Sequence, residues 1–179
     1  WHAGPGASAI LSDMGAEVIK VETLAGDPER SQANLGAVRF DDIGGPDFSF
    51  LFELSNRNKR SICLDITSEE GAAVVRTLIE NADVFLTNLR HSTKPKLGID
   101  YNSIREIKPD IVHANVSGYG PHGPMRDVGA FDPMGQGISG MVYLTGSDEP
   151  ILLQSVVLDQ MTSIAASHAV MSALFVRER

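Results

Sequence analysis

The sequence has a single cysteine, Cys63, among its 179 residues, so no disulfide can form within the chain. It lies in the apolar stretch Ser61-Ile62-Cys63-Leu64, where it is expected to pack as a small hydrophobe, and such sparing use fits a reducing, cytoplasmic setting. Long apolar runs are absent as well. A membrane helix needs about 18 consecutive apolar residues. The most apolar segment, 151–176, is interrupted by Gln154, Asp159, Gln160 and His168, and reads as a buried or half-buried helix. Cations are in deficit: 15 Lys and Arg against 23 Asp and Glu give a formal charge of −8. That balance repels phosphate backbones and anionic membranes, which argues against nucleic-acid or lipid-surface roles. A few local cations still suffice to hold a small anion. The five histidines, at 2, 91, 113, 122 and 168, show no metal-ligand spacing, and no H-E-x-x-H, C-x-x-C or G-x-S-x-G occurs. No metal site is therefore expected, and zinc and serine hydrolases are disfavoured.

What is present is ordinary globular composition, 42% apolar and 21% charged, at a length that suits one domain. No internal repeat, low-complexity tract or sharp linker divides it, so residues 1–179 read as one domain. The chain opens at Trp1-His2-Ala3-Gly4 and closes at Val176-Arg177-Glu178-Arg179, within a helical pattern, which gives the expectation of a fragment of a longer protein.

Short β-branched runs alternate with helical patterns. Residues 17–22, 61–66, 83–88 and 111–116 are strand candidates. Thr67-Ser68-Glu69-Glu70 fits a capping box, with Thr67 as cap and Glu70 reaching back, ahead of a helix expected to bury Ala73, Val74, Leu78 and Ile79. A shorter helix is expected over 101–107. Strand, helix, strand repeated in this way predicts an α/β domain: a doubly wound, Rossmann-like parallel sheet with helices on both faces. Ligands bind such sheets beyond the carboxyl ends of the strands, which directs attention to the loops after Glu22, Ile66, Asn88 and Val116. Residues 23–47, rich in Gly, Asp and Pro, form either a surface excursion or a lid.

Several motifs carry chemistry, each with a plainer alternative. Gly4-Pro5-Gly6-Ala7-Ser8-Ala9 fits G-x-G-x-x-A, with Glu22 placed 18 residues beyond Gly4. That approaches a nicotinamide or flavin dinucleotide fingerprint, but only three residues precede Gly4 where a strand is required. Asn56-Arg57-Asn58-Lys59-Arg60 is either a solvated turn or a cationic approach to a phosphate-bearing ligand. Asn88-Leu89-Arg90 ends a strand candidate and is well placed for ligand contact. Gly118-Tyr119-Gly120-Pro121-His122-Gly123-Pro124 either lets backbone approach a ligand or makes a tight connection. Asp159 falls at the cap or first turn of the last helix. It is either a structural cap or a carboxylate kept ionised by the positive helix end and available as a nucleophile.

Taken in order, Ala3-Gly4-Pro5, Met14-Gly15-Ala16-Glu17-Val18-Ile19-Lys20-Val21-Glu22, Gly26-Asp27-Pro28 with Arg30, Asn58-Lys59-Arg60-Ser61 with Leu64-Asp65, Ala82-Asp83-Val84 with Asn88, Leu97-Gly98, and Ser117-Gly118-Tyr119-Gly120 with Gly123-Pro124 resemble the amino-terminal part of class III CoA-transferases. This family includes formyl-CoA and carnitine CoA-transferases and also α-methylacyl-CoA racemases. The resemblance covers essentially the whole chain and implies transfer of coenzyme A from an acyl-CoA to a carboxylic acid through an aspartyl-CoA thioester. It places the nucleophile at Asp159, an acidic neighbour at Asp132, and CoA contacts at His2, Leu64, Thr67, Asn88, Leu89 and Lys96. Coenzyme A and acyl-CoA are then substrates, not permanently bound cofactors.

The family's racemases pair the aspartate with a histidine directly before the Asp132 position. Here that place is Phe131, which cannot exchange a proton, so transfer is favoured over racemisation. The resemblance also implies that the family's first strand and second domain, with its glycine-rich loop, lie outside this chain. It implies an interlocked homodimer for the full-length protein and little activity for the 179 residues alone.

Overall fold

In a computed structural model, residues 1–32, 34–35, 38–39, 45, 48–144 and 148–179 are described, with side chains from 34 to 39 left aside. The order is α1 (Ala3–Asp13), β1 (Val18–Glu22), a 3-10 turn (Pro28–Ser31), β2 (Asn34–Leu35), β3 (Val38–Arg39), α2 (Phe50–Asn56) and β4 (Lys59–Cys63). There follow α3 (Glu69–Glu80), β5 (Val84–Thr87), a 3-10 turn (Lys94–Leu97), α4 (Tyr101–Ile107), β6 (Val112–Asn115), α5 (Asp132–Ile138), a 3-10 turn (Met141–Tyr143) and α6 (Val157–Arg177). β1 pairs in parallel with β4, and β5 in parallel with β6, while β2 and β3 form a small antiparallel hairpin. Among the described residues no ladder joins the two parallel pairs. The architecture is therefore α/β with small parallel sheets and helices. No helix among the described residues is long and apolar enough to cross a membrane. Most of the expected excursion at 23–47 falls on residues outside those described.

The expected strands are present with shifted ends: β4 begins at Lys59, directly after Asn58, whose φ of 59° makes a left-handed corner. Three expectations are corrected. The cap of α3 is Ser68, whose Oγ accepts from the Gly71 amide at 3.0 Å, while Thr67 Oγ donates to Asp65 at 2.6 Å. The buried side of α3 carries Gly71 and Ile79, with Val75 against the core; Val74 and Ala73 are exposed and Leu78 is half-buried. Gly71 is required there, since a Cβ would stand 1.9 Å from the Asp65 carbonyl oxygen. Cys63 is exposed, because it ends β4 where the alternation of the strand turns it outward.

Two packed regions position the site. Ile79, Ile99, Ile104 and Ile111, backed by Val75, Phe85, Leu97 and Ile107, lock α3 and α4 to the β5–β6 pair. On the other side α1 lies along α6 through small residues. Gly6, Ala7 and Ala9 of α1 and Ser163, Ser167 and Val170 of α6 are all buried, and a Cβ on Gly6 would come within 2.4 Å of Ser163 Oγ. Gly4 and Gly6 are thus helical packing residues, not the turn that a dinucleotide fingerprint needs.

Under α1 and α2 lies a charged network. Glu22, 5% exposed, accepts from Arg30 Nε at 2.9 Å and Nη2 at 2.7 Å, from Ser61 Oγ at 2.7 Å and from the Asp27 amide at 2.9 Å. The Arg30 guanidinium above all, with these donors, holds the Glu22 carboxyl down to about 2 from 4.5. A folded-state pKa below the unfolded one means stability that is present above about pH 4.5 and lost as pH falls toward about 2. Glu22→Gln should lower stability at neutral pH and flatten the acid loss in urea titrations at stepped pH. Parallel wild-type and variant curves through that window would refute the assignment.

The cationic run at 56–60 is spent internally. Arg57 Nε holds Asp13 at 3.0 Å, Arg60 pairs with Glu17, and Lys59 Nζ donates to the Pro5 and Ser55 carbonyls at 2.7 and 2.6 Å. Burial pushes the Lys59 ammonium down to about 7.

Candidate active site

Asp159 stands in the first turn of α6 but is not its cap: Val156 occupies that position, without a side-chain acceptor. The capping is done from a distance. Asp132, 5% exposed at the start of α5, accepts from the Leu158 amide at 2.6 Å and the Asp159 amide at 3.1 Å through Oδ2. Its other oxygen receives Gln136 Nε2 at 2.5 Å. Gln136, wholly buried, also takes the Leu153 amide at 2.9 Å, so one glutamine and one aspartate tie the chain leading into α6 to α5. Ser163 Oγ lies at 2.9 Å from both the Ala3 and Asp159 carbonyls, where its single proton is shared, and links α1 to the same turn.

This division of labour leaves the Asp159 carboxylate unengaged. Among the described residues no hydrogen bond or ion pair holds it, and it is half-buried. Burial pushes its carboxyl above the ordinary value; the His2 imidazole works against this, and the Asp132 and Glu29 carboxylates add to it. The helix end does not dominate, in contrast to the sequence expectation. A carboxylate partly withdrawn from water and without a hydrogen-bond partner is basic and nucleophilic once ionised.

His2 packs behind this group. Its ring, 5% exposed, has Nδ1 at 3.0 Å from Glu29 Oε1 and 2.7 Å from Ser55 Oγ, and Nε2 at 2.6 Å from the Gln160 amide nitrogen. Glu29 is 1% exposed. Sequence reading did not find Glu29, Ser55, Gln136 or Gln160, since single polar residues in a 3-10 turn, two short helices and the first turn of α6 carry no periodic signal. Phe131 lies against Trp1, ring centroids 5.4 Å apart, and is exposed.

The other expected contacts sit at the carboxyl ends of strands. Leu64 extends the β4 pairing, its amide donating to the Glu22 carbonyl at 2.9 Å. Thr67 is exposed beside Asp65. Asn88 and Leu89 follow β5, both exposed, with Asn88 against Gly4 at the start of α1. Lys96 is exposed in the 3-10 turn after them. Ile66 and Leu97 line one cavity of about 330 Å³, which brings the Thr67 and Lys96 turns side by side. Among the described residues no group of side chains could hold a metal ion.

Comparison with known proteins follows this geometry. A family model described as CoA-transferase family III matches residues 1–179. The chain is 36% identical over 176 residues to the succinate–glutarate CoA-transferase of Agrobacterium fabrum, covering 96% of this chain and 43% of that protein. It is 33% identical over 179 residues to the formyl-CoA:oxalate CoA-transferase of Streptomyces avermitilis, covering 99% and 42%. A crystal structure of a CAIB/BAIF family protein from Brucella suis superposes with a TM-score of 0.87 at 36% identity, covering 99% of this chain and 47% of that one. The chain thus spans less than half the length of these relatives. From residue 1 to residue 179, it belongs to CoA-transferase family III.

Proposed function

We propose that the protein carrying this chain transfers coenzyme A from an acyl-CoA to a carboxylic acid, with Asp159 as the covalent nucleophile. The observation that supports this is a half-buried carboxylate in the first turn of α6 that no hydrogen bond or ion pair engages among the described residues. Asp159 attacks the thioester carbonyl carbon; the C–S bond breaks and CoA leaves as thiolate, giving a mixed anhydride. The thiolate attacks the Asp159 carboxyl carbon, releases the donor acid as its carboxylate, and forms an aspartyl-CoA thioester. An incoming carboxylate attacks that same carbon, and the thiolate then takes the new acyl group and frees Asp159. No net proton moves. Water must be kept out, since both intermediates hydrolyse readily.

CoA runs over Leu64, Thr67, Asn88, Leu89 and Lys96, with His2 closing the inner end of the path near Asp159. The parallel pairs belong to one doubly wound sheet in the whole protein, which works as a cytoplasmic homodimer. The 179 residues alone turn over little substrate. Relatives named for succinate and glutarate and for formate and oxalate support an acid as the acceptor.

The test is a mass spectrum of the full-length protein after incubation with an acyl-CoA, with and without hydroxylamine. A CoA adduct on the Asp159 peptide, converted by hydroxylamine to a hydroxamate, is the expected result. Exchange of the α-hydrogen with solvent deuterium and no adduct would replace transfer by racemisation.

A further inference from the structure

The Asp159 stripe of α6 continues into a cavity. Asp159, Thr162 and Ala166 recur at i, i+3 and i+7, one face of a helix, and Thr162, Ala165 and Ala166 form one wall of a cavity of about 670 Å³. The opposite wall comes from the end of β6 and the loop beyond it, through Asn115, Val116, Ser117, Gly120 and Pro121. Lys94, His91 and His113 also line the cavity.

The cavity holds buried polar groups with capacity to spare. Lys94 is 5% exposed, and its Nζ spends two protons, on Asn115 Oδ1 at 2.5 Å and His91 Nδ1 at 3.3 Å. Nε2 of His91 and Nε2 of His113 are buried without a partner. The His113 ring is held by stacking on Phe85 at 5.7 Å and by the edge of Tyr101 at 5.8 Å. Asp100 also lines the cavity, but its carboxylate is occupied by the Asn102 amide and the Ser103 amide and hydroxyl. Burying an ammonium and two imidazole nitrogens with unmet hydrogen-bonding capacity costs free energy unless a ligand answers them. Burial lowers the Lys94 ammonium from its ordinary value, with Asp100 and Asp127 pulling the other way, and an entering carboxylate would reverse that loss.

Resting on the CoA-transfer reading above, we infer that this cavity receives the acid's far end and that Lys94, flanked by His91 and His113, binds a second carboxylate there, so that the substrate class is dicarboxylic acids. The apolar wall of Val116, Pro121, Ala165 and Ala166 suits the methylenes between the two carboxylates. The near carboxylate is the one exchanged at Asp159, and the remote one selects the substrate.

The test compares succinate, glutarate and adipate with butanoate, pentanoate and hexanoate as CoA acceptors for the full-length protein. Each pair differs only in the distal carboxylate. At least one diacid should exceed its partner in kcat/KM by about tenfold or more, the worth of a charge-assisted hydrogen bond. Lys94→Met, close in shape, should bring that ratio near unity, and Lys94→Arg should retain most of it. Adduct formation on Asp159 with no diacid preference, or a preference unchanged in Lys94→Met, overturns the inference alone. Absence of any Asp159 adduct on incubation with the acyl-CoA donor instead overturns the transfer reading on which it rests. Should Lys94→Met fail to fold, His91→Phe must narrow the same ratio, and a ratio it leaves intact refutes the site.

Discussion

Asp159→Asn in the full-length protein should cut CoA transfer by about a thousandfold or more while leaving stability within about 0.5 kcal/mol of the parent. The two halves of that expectation come from separate observations. Loss of a covalent nucleophile removes the pathway and not merely a favourable contact. Stability is spared because the Asp159 side chain caps nothing: its helix is capped by Asp132, and no hydrogen bond or ion pair to the Asp159 carboxylate exists among the described residues. A neutral amide should even relieve the cost of a carboxylate that burial and two neighbouring acids disfavour. Steady-state rates and a urea titration on one preparation check both halves. Normal turnover by the variant would end the nucleophile assignment, and a large loss of stability would return Asp159 to a structural role.

The second large effect is expected at Asp132. Asp132→Ala removes the acceptor for two backbone amides at the start of α6 and leaves Gln136, wholly buried, with one fewer partner. Loss of a cap together with stranded buried donors should cost about 2–4 kcal/mol. Turnover should fall by about 10–100-fold, since the first turn that aims the nucleophile loses its anchor. Asp132→Asn keeps one acceptor and should be milder on both counts. It also removes one of the charges that raise Asp159, so the acid limb of its kcat/KM profile should move to lower pH. A limb that stays in place would show that the two carboxylates do not sense each other.

Much of the framework was legible because it rests on local rules. Runs such as Val18-Ile19-Lys20-Val21 and Val84-Phe85-Leu86 announce strands by β-branched and apolar residues, and α4 covers the expected 101–107. Errors arose where neighbouring residues satisfied the same rule. Thr67 and Ser68 both fit a cap, and only the fold shows Thr67 bonded to Asp65 and Ser68 to the helix amide. Val74 and Val75 both fit a buried stripe, whose phase is set by Gly71 against Asp65. Of the polar surroundings of Asp159, Asp132 and His2 came only from the resemblance, and Glu29, Gln136 and Gln160 were not legible. Asp132, Gln136, Glu29 and His2 meet across separations of up to 158 residues, as between His2 and Gln160, and no local pattern encodes such meetings.

The last helix is fastened along one seam and bare along the other. Ser163, Ser167 and Val170 sit against α1, while Met161, Ile164, Met171 and Phe175 face water at 45–59% exposure. Keeping such a ridge wet forgoes about 25 cal/mol for every Å² that could be covered. Any segment or partner that settles on it therefore tightens the same rod that carries the reactive acid. Assembly and aim become one equilibrium, so that a binding event on the outer flank would be felt at the thioester.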